Sequence, residues 1–508
     1  NTDIKVTFTT KGGKVKEVLL KNYTDHLDQP LILLDEQSSK MDLLLGNTNV
    51  YDQFFTASKE GNSVTFTTQL ANGESVSQAY SLAEEGFIVN YDLKTSGFSG
   101  TSSLNWTDNL RQVEKSRKES ANKASVNYYL AEGEFDDVGK NSTSEDNETI
   151  TKPLKWVGLS HRFFNATIVG DNYSFDRAEL KSVVNESDLT AIKNLSMRLT
   201  LPAGAIQDGK FKFYFGPNDY KITKATGIPA FEKNIYLGWS IFAAVNRFLV
   251  IPIFKTLEKF ISNYGIIILI LVIIIKTLLF PIAYRSYLSM AKMRELRPEM
   301  DAIKERLGDD QAAIQKENMA LNQKMGVNPL AGCIPVVLQM PILLALFNFF
   351  PNSIELRHQS FLWAEDLSTY DSVLSWTGNI PLISNFYGNH VSLFTLLMTV
   401  STIIYTHINN KSNVSAQGPM KSLSYIMPVM FMFILNRFSS GLTFYYFVSN
   451  LVTISQQLLA TKFIDKEKIR TALLANKEAF ETGKRKKSKF QQRLDDAMKM
   501  QEQSKKKK

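Results

Sequence analysis

The chain has 508 residues and a formal net charge of +8, so it is long enough for more than one domain. Its single cysteine, Cys333, excludes an internal disulfide framework, and its five histidines lack the spacing of metal ligands. No nucleotide-binding loop or nucleophile motif is present, so we predict no cofactor. The chain begins with Asn rather than Met, and we therefore expect an upstream signal peptide or membrane anchor.

The first 217 residues alternate between large apolar and polar side chains. Phe211, Phe213 and Phe215 show the pattern, as do Phe87–Leu93 and Leu195–Leu201. Period two with Gly, Asn and Asp breaks predicts an all-β sandwich. Residues 116–150 are rich in Lys, Glu, Ser and Asn, which predicts a long surface excursion. The scattered acidic residues single out no catalytic pair, so a binding or scaffold domain is favoured over an enzyme.

Residues 218–262 form a predicted linker followed by an amphipathic helix. From residue 232 onward, apolar residues recur at helical spacing, and Lys255, Glu258 and Lys259 supply a polar face. Pro252 predicts a kink or break in this helix. A helix at the membrane surface fits the pattern, with an ordinary helix of a soluble domain as the alternative.

Residues 264–284 are apolar enough to cross a bilayer, which takes about 20 residues, and their one charge is Lys276. A charge at that depth costs several kcal/mol and usually faces protein or a watery cavity. Lys276 precedes Tyr284 by eight residues, about 12 Å of helix, so its stem could instead bend toward the interface. A functional charge and a snorkelling lysine therefore both remain open.

Four further apolar segments predict additional spans. With the first they give five visible spans at about 264–284, 331–350, 391–407, 422–438 and 441–461. Between the first two, residues 285–328 are too polar for the membrane. Met290, Met293 and Met300 lie there on an apolar stripe, which predicts a helical hairpin of coiled-coil type with exposed methionines.

The distribution of Lys and Arg orients these spans. The hairpin 285–328 holds eight Lys and Arg residues, whereas residues 351–390 hold one, Arg357, against four acidic residues. Positive residues concentrate on the cytoplasmic side of membrane proteins. The hairpin is therefore predicted to be cytoplasmic, with residues 351–390 and the β-domain outside.

Polar residues follow one face of two spans. In the third span they are Ser392, Thr395, Thr399, Thr402 and Thr406, and in the last span Thr443, Tyr446, Asn450, Thr453 and Gln457. Such residues often serve as hydrogen-bonding contacts between helices. Together with Lys276 and Gln339 they also predict a hydrated groove, and both interpretations stay open.

The tail, residues 462–508, contains 16 Lys and Arg residues against 7 Asp and Glu residues. Its first dense cluster is Lys484, Arg485, Lys486 and Lys487, and Lys505–Lys508 form a second. A basic tail is usually solvated and enforces topology. It also suits binding to the phosphate backbone of ribosomal RNA or to anionic lipid.

Several motifs carry a family resemblance over roughly residues 230–465. They are Tyr-Leu-Ser-Met-Ala-Lys-Met at 287–293, Asn-Pro-Leu-Ala-Gly-Cys-Ile-Pro at 328–335, Gln-Met-Pro at 339–341, Ser-Gly-Leu-Thr-Phe-Tyr-Tyr at 440–446 and Ser-Asn-Leu-Val-Thr at 449–453. With these motifs in this order, the sequence resembles the YidC-type membrane protein insertases. The β-domain is similar to that of the Gram-negative form, whose periplasmic domain is a sugar-mutarotase-like β-supersandwich.

The resemblance implies a multi-domain protein of the bacterial inner membrane. Its transmembrane core would hold a sixth, N-terminal span absent from this chain and a groove open to cytoplasm and lipid. The groove would contain Lys276, where the family usually has arginine, and the tyrosines Tyr445 and Tyr446. An aromatic residue often precedes the Ser-Gly-Leu motif, but this chain has Asn436-Arg437-Phe438-Ser439.

The function implied is insertion of nascent transmembrane segments into lipid, alone or with the Sec translocon. The implied partners are nascent membrane proteins, the ribosome, the signal-recognition targeting machinery and membrane lipids, and not DNA. No covalent chemistry is needed. The alternatives are a secondary transporter or channel, although no inverted repeat is visible, and a membrane-anchored carbohydrate-binding protein.

Overall fold

In the computed structural model, the described residues are 1–185, 187–188, 190–308, 310–328, 334–378, 380–381, 383–412 and 419–482. The chain divides into two compact units. The first is Asn1–Leu237 with Asn352–His358, and the second is Gly238–Pro351 with Gln359–Lys508.

The first unit is built from antiparallel strands. In chain order they are β1 (Ile4–Thr9), β2 (Lys14–Thr24), β3 (Pro30–Leu34), β4 (Ser39–Leu45), β5 (Thr48–Asn49), β6 (Thr56–Glu60), β7 (Ser63–Gln69), β8 (Ser75–Leu82), β9 (Ile88–Ser96), β10 (Ser102–Leu110), β11 (Ser125–Leu130), β12 (Phe135–Val138), β13 (Asp146–Ile150), β14 (Leu154–Ser160), β15 (Phe164–Gly170), β16 (Arg177–Val183), β17 (Lys193–Leu201) and β18 (Gly209–Pro217). Three short helices accompany them, α1 (Arg117–Lys123), α2 (Ala203–Asp208) and α3 (Tyr220–Ala225).

Two large sheets pack face to face. One has the order β13-β16-β17-β10-β4-β5, the other β12-β11-β14-β15-β18-β9-β8-β7-β6, and β1–β3 form a small third sheet. Trp106 on β10 is fully buried, and its ring lies 5.9 Å from Phe213 and 6.2 Å from Phe215 on β18. The predicted period-two strands therefore place their large residues between the sheets, and the all-β sandwich is confirmed.

The predicted surface excursion at 116–150 is wrong. Within it, β11 pairs with both β12 and β14, and its Val126 and Tyr128 are buried. The strand was hidden by its polar residues, which are buried as hydrogen-bonded groups. Asn127 Nδ2, for example, donates to Asn234 Oδ1 at 2.8 Å.

The first unit extends beyond residue 217 to Leu237 because the following chain packs into the sandwich. Phe231 is fully buried, with its ring 5.3 Å from that of Trp156. A second addition is the segment 352–358, which carries Arg357. Arg357 Nε donates to Glu114 Oε1 at 2.8 Å, and both side chains are buried.

The second unit is helical. Its helices are α4 (Ile241–Val245), α5 (Ile251–Leu257), α6 (Tyr264–Glu295), α7 (Arg297–Leu307), α8 (Gln311–Met325), α9 (Ile334–Phe349), α10 (Ile383–Phe386), α11 (Leu393–Ser412), α12 (Pro419–Leu435), α13 (Ser440–Phe463) and α14 (Lys466–Glu481). A short ribbon pairs β19 (Leu374–Ser375) with β20 (His390–Val391).

The amphipathic helix predicted for 232–262 is shorter and interrupted. A π-helical turn, Asn246–Val250, separates α4 from α5, and Pro252 lies in the first turn of α5. Proline needs no backbone N–H partner there, so the interruption precedes it. Large apolar side chains remain exposed along the segment, including Trp239, Phe248 and Phe260.

The predicted hairpin is formed differently from the expectation. Helix α6 continues past residue 284 to Glu295, so the two hairpin arms are α7 and α8. Beyond them α14 packs on this region, where its Ile469 and Leu473 join Met293 and Met325 in one apolar cluster. The sequence did not predict α14.

Among the described residues, α6 is the helix that is long and apolar enough to span a bilayer by itself. Shorter apolar stretches occur at Val337–Asn352 and Ser422–Leu435. The helices α9, α11, α12 and α13 cover the other four predicted spans within a few residues. The count of five spans stays a prediction.

Candidate functional site

Four helices of the second unit, α6, α9, α11 and α13, surround a cavity of about 210 Å³. This volume has room for several water molecules. We call it the Lys276 cavity. Its lining residues are Lys276, Leu279, Ala283 and Tyr287 from α6, Leu338, Gln339, Met340 and Leu343 from α9, Thr402, Tyr405 and Thr406 from α11, and Tyr446, Asn450, Thr453 and Gln456 from α13.

Helical spacing explains why these side chains converge. On α6 the lining positions follow Lys276 at intervals of three and four residues, and on α13 the same intervals lead from Tyr446 to Gln456. Residues at these intervals occupy one helix face. The helices α6 and α13 therefore each turn a single face toward the cavity.

Lys276 lies twelve residues into α6, about 18 Å from the start of the helix. Its side chain is buried, and its ammonium donates to Gln339 Oε1 at 2.8 Å and to Thr453 Oγ1 at 2.7 Å. Both acceptors are uncharged. This placement favours a functional charge in a polar cavity over a lysine that reaches for the interface.

The two acceptors are themselves held by neighbours. Gln339 Nε2 donates to Ser449 Oγ at 3.2 Å, which fixes the side-chain oxygen of Gln339 toward Lys276. Thr453 Oγ1 donates to the carbonyl of Ser449 at 2.7 Å. The hydroxyl hydrogen is thereby directed away from the ammonium. Ser449 thus orients both groups that receive the charge.

Asn450 connects two walls of the cavity. Its Nδ2 donates to Ser401 Oγ at 3.0 Å and to Thr402 Oγ1 at 2.8 Å, so it links α13 to α11. The polar stripes therefore link helices by hydrogen bonds, and part of them lines the cavity.

Six predicted groove residues lie outside the cavity lining, namely Ser392, Thr395, Thr399, Thr443, Tyr445 and Gln457. Thr395, Thr399 and Thr443 are buried, and the hydroxyls of Thr399 and Thr443 donate to carbonyls of their own helices. The ring of Tyr445 is buried 5.9 Å from that of Phe350. The predicted residues that the structure brings together are Lys276, Gln339, Thr402, Thr406, Tyr446, Asn450 and Thr453.

The sequence missed other members of the lining. Tyr287 was seen only as part of a hairpin motif, and Tyr405 is adjacent to a stripe residue without belonging to the stripe. Gln456 lines the cavity, whereas the stripe residue Gln457 donates instead to Asn409 Oδ1 at 3.1 Å. Helical spacing from Thr453 would have marked Gln456 as its neighbour on the same face.

The methionines of the hairpin region differ from the prediction of an exposed apolar surface. Met293 and Met300 are buried, and Met290 is half-buried. For Met293 the cause is α14, whose apolar face covers it. The predicted tail residues Lys484, Arg485, Lys486 and Lys487 lie outside the described residues, as does Cys333.

The chemistry of the Lys276 cavity is that of an uncompensated positive charge in a polar pocket. The part of its lining that the structure describes contains no Asp or Glu. Within the described ranges, no group of three or more His, Cys, Asp or Glu side chains could hold a metal ion. The cavity can therefore attract an anionic group and donate hydrogen bonds to it.

Two family models together match most of the chain. Residues 1–256 match the YidC periplasmic domain, and residues 256–467 match the 60Kd inner membrane protein. Among solved structures, the chain is similar to a galactose mutarotase-like protein from Lactobacillus casei. The identity is 13%, the coverage is 43% of this chain and 98% of that one, and the TM-score of 0.27 supports no structural argument.

Full-length relatives give the same result. The membrane protein insertase YidC of Amoebophilus asiaticus is 44% identical, over 98% of this chain and 86% of the relative. That of Cytophaga hutchinsonii is 43% identical, over 99% of this chain and 85% of the relative. The chain therefore belongs to the YidC family of membrane protein insertases, inner-membrane proteins with a periplasmic domain.

Proposed function

We propose that this insertase receives the hydrophilic flank of a nascent transmembrane segment in the Lys276 cavity and then releases the segment into lipid. The observation that carries the proposal is the buried ammonium of Lys276, whose acceptors among the described residues, Gln339 and Thr453, are uncharged. A polar flank that crosses the bilayer alone meets a barrier of many kcal/mol. A hydrated cavity partway through the membrane lowers that barrier.

The charge of Lys276 selects for acidic flanks. A carboxylate about 8 Å from the ammonium gains roughly 2 kcal/mol at an effective dielectric constant near 20. That gain is enough to hold a client briefly and too small to trap it. A carboxylate partner within the protein would cancel the field, and the described lining residues include none.

The neutral acceptors make the contact reversible. A client carboxylate can replace Gln339 Oε1 or Thr453 Oγ1 as hydrogen-bond acceptor without breaking an internal ion pair. When the client leaves, the same oxygens take the ammonium back. The cycle requires only binding and release, so we propose no enzymatic step and no cofactor.

We further propose that α6, α9, α11, α12 and α13 are the spans of a multi-pass core. The hairpin arms α7 and α8 and the tail then lie in the cytoplasm, as the positive-inside rule indicates. The segment with exposed Trp239, Phe248 and Phe260 lies at the membrane interface, where such side chains contact lipid.

The remaining partners follow from this arrangement. A cytoplasmic hairpin and basic tail suit contact with the ribosome and the signal-recognition targeting machinery, and work alongside the Sec translocon is compatible with lateral release into lipid. We also propose that the β-domain has a mutarotase-like supersandwich fold and serves as a scaffold.

Reconstituted liposomes provide the test. Lys276→Arg should insert a small client with an acidic tail at a rate close to that of the unmodified protein. Lys276→Met should be about thirtyfold slower and Lys276→Glu slower still, because they remove or reverse the attraction of roughly 2 kcal/mol. Lys292→Met is the matched control, since it removes a lysine of the same helix that does not line the cavity.

A client without acidic residues should distinguish charge from folding. Its insertion should change little in Lys276→Met, whereas a misfolded variant would fail with both clients. Full insertion of the acidic client by Lys276→Glu would refute the electrostatic role. Solute uptake by the unmodified protein would favour a transporter, and loss of insertion on deletion of residues 1–217 alone would favour a role centred on the β-domain.

A further inference from the structure

An open groove lies on the hairpin, apart from the Lys276 cavity. It has a volume of about 590 Å³, and we call it the hairpin groove. Its lining residues are Glu299, Ala302, Ile303 and Arg306 from α7, Glu317, Ala320, Leu321, Gln323 and Lys324 from α8, and Phe480 from α14.

The walls of the hairpin groove are apolar and its rim is charged. Ile303 and Leu321 are half-buried, and the exposed Ala302 and Ala320 leave room for another helix to approach closely. On the rim, Arg306 forms an ion pair with Glu317. A short amphipathic helix with large apolar side chains matches this surface.

The chain itself leads into the groove. Phe480, at the end of α14, lines it, and the Lys324–Glu481 ion pair at 2.6 Å holds that end against α8. The described chain ends at Thr482. The residues that follow therefore start beside the groove.

The sequence beyond Thr482 has the pattern that the groove requires. Phe490, Leu494 and Met498 recur at intervals of four, and the residues between them are polar or small. This spacing places large apolar side chains on one face of a helix. Arg493 within this stretch and Lys499 directly after it are positively charged and suit the acidic rim residue Glu299.

The distances permit the contact. Phe490 is eight positions beyond Thr482, a reach of up to about 26 Å when extended. The groove runs along α7, which at 11 residues is about 16 Å long. The segment can therefore reach every part of the groove.

We propose that residues 490–498 bind the hairpin groove as an amphipathic helix of the same chain. The size of the contact favours this occupant over a separate protein. Three such side chains bury roughly 300 Å² of apolar surface, far less than the 1,200 Å² or more of stable complexes between proteins. A tethered segment needs no such area, because a short linker gives it an effective concentration in the millimolar range.

The docked segment holds the basic cluster Lys484–Lys487 between two fixed points, the end of α14 and the hairpin. Hairpin and basic cluster then form one surface. A soluble peptide of residues 485–500 should compete with the tethered segment only at high concentration, since it lacks the advantage of the linker.

Paired cysteines in a Cys333→Ser background test the contact in native membranes. The test pair is Ala320→Cys with Leu494→Cys, and the control pair is Ala320→Cys with Ser504→Cys, on the same tail but outside the apolar pattern. After mild oxidation, free thiols are counted by the mass added with a polyethylene-glycol maleimide. In most test-pair molecules the two thiols should form a disulfide within one monomer, so no free thiol remains. Most control-pair molecules should keep both free thiols.

Adding Phe490→Ser and Met498→Ser to the test pair should raise the fraction of molecules with free thiols at least fivefold, because these changes remove the apolar contact. The proposal is overturned if the test pair keeps as many free thiols as the control pair. It is also overturned if the disulfide still forms when both serine substitutions are present. A disulfide-linked dimer would also overturn it, as it would place a second copy in the groove. None of these readouts depends on insertion activity.

Discussion

The ammonium of Lys276 lies 2.7 Å from Thr453 Oγ1, across two helices separated by 177 residues in the chain. The Thr453 hydroxyl donates its own hydrogen to the carbonyl of Ser449. The lone pairs of Thr453 Oγ1 are therefore free to accept a hydrogen bond from Lys276. The pair thus fixes both the position of the charge and the relation of α6 to α13.

Thr453→Val should destabilise the protein by about 1–2 kcal/mol, because it leaves a buried ammonium with one acceptor fewer. Thr453→Ser keeps the acceptor and should cost less. Thermal unfolding of purified protein in detergent measures both. In a Lys276→Met background the cost of Thr453→Val should largely vanish, and an equal cost in both backgrounds would mean that the two side chains do not interact.

The sequence predicted the centre of the Lys276 cavity because charge and amide groups stand out in apolar helices. Lys276, Gln339 and Asn450 were identified in this way, and all three line the cavity. Tyr287 and Tyr405 were not, since tyrosine is common both in packing and at interfaces. Helical spacing alone cannot tell which hydroxyl faces a cavity and which, like that of Thr399, is satisfied by its own helix.

The fold shows the same limit at two other places. β11 is a buried strand that contains polar residues such as Asn127, and polar residues suggested an exposed segment. Asn127 can be buried because Asn234, which is distant in sequence, accepts its hydrogen bond. Met293 was predicted to be exposed, but α14 covers it. Local patterns predict elements well, whereas burial depends on contacts that only the folded chain defines.

The buried ion pair between Glu114 and Arg357 should control access to the segment 352–358. Arg357 also donates to the carbonyl of Val113 at 3.2 Å and lies 5.1 Å from the ring centre of Phe164. Removing one partner of a buried pair costs about 3–5 kcal/mol. Glu114→Gln should therefore loosen the segment and expose the peptide bond after Arg357 to trypsin.

Mass spectrometry of a short digestion measures that cleavage. It should be slow in the unmodified protein and several times faster in Glu114→Gln, while cleavage after exposed lysines stays unchanged. Lys5→Gln, an exposed charge change in the same unit, is the control. Equal cleavage after Arg357 in all three proteins would mean that the ion pair does not hold the segment.

Asp108 should make the stability of the β-domain depend on pH. It is buried on β10, and this burial raises the pKa of its carboxyl to about 8. In the unfolded chain that pKa is near 3.8, so the folded state binds the extra proton between these values. The stability contributed by this group is present below about pH 4 and is lost as pH rises toward 8.

Asp108→Asn removes this titration while keeping the shape of the side chain. The variant should unfold at a higher temperature than the unmodified protein at pH 7.5, by several degrees, and the difference should shrink toward pH 4.5. Solvent-exposed Asp176→Asn, in the same domain, tests whether any lost carboxylate has this effect. A gain from Asp108→Asn that is independent of pH would exclude the raised pKa as its cause.

The position of α14 determines which truncation can test whether the tail binds the ribosome. A cut after Lys466 would remove α14, which packs against Met293 and whose Asn476 Nδ2 donates to the carbonyl of Met325 at 3.2 Å. Such a truncation would disturb the hairpin as well as the charge. Truncation after Thr482 removes both basic clusters and keeps α14 in contact with Met293.

With that truncation, co-sedimentation with translating ribosomes should fall severalfold at low salt, because the basic clusters no longer contact the phosphate backbone. The difference should narrow as salt screens the full-length tail. Replacing Lys484–Lys487 by glutamine should reproduce most of the loss if the first cluster dominates, and the same change at Lys505–Lys508 should then have a smaller effect. Identical co-sedimentation of the full and truncated proteins across the salt series would leave the tail without a role on the ribosome, and the positive charges would then serve only to keep it in the cytoplasm.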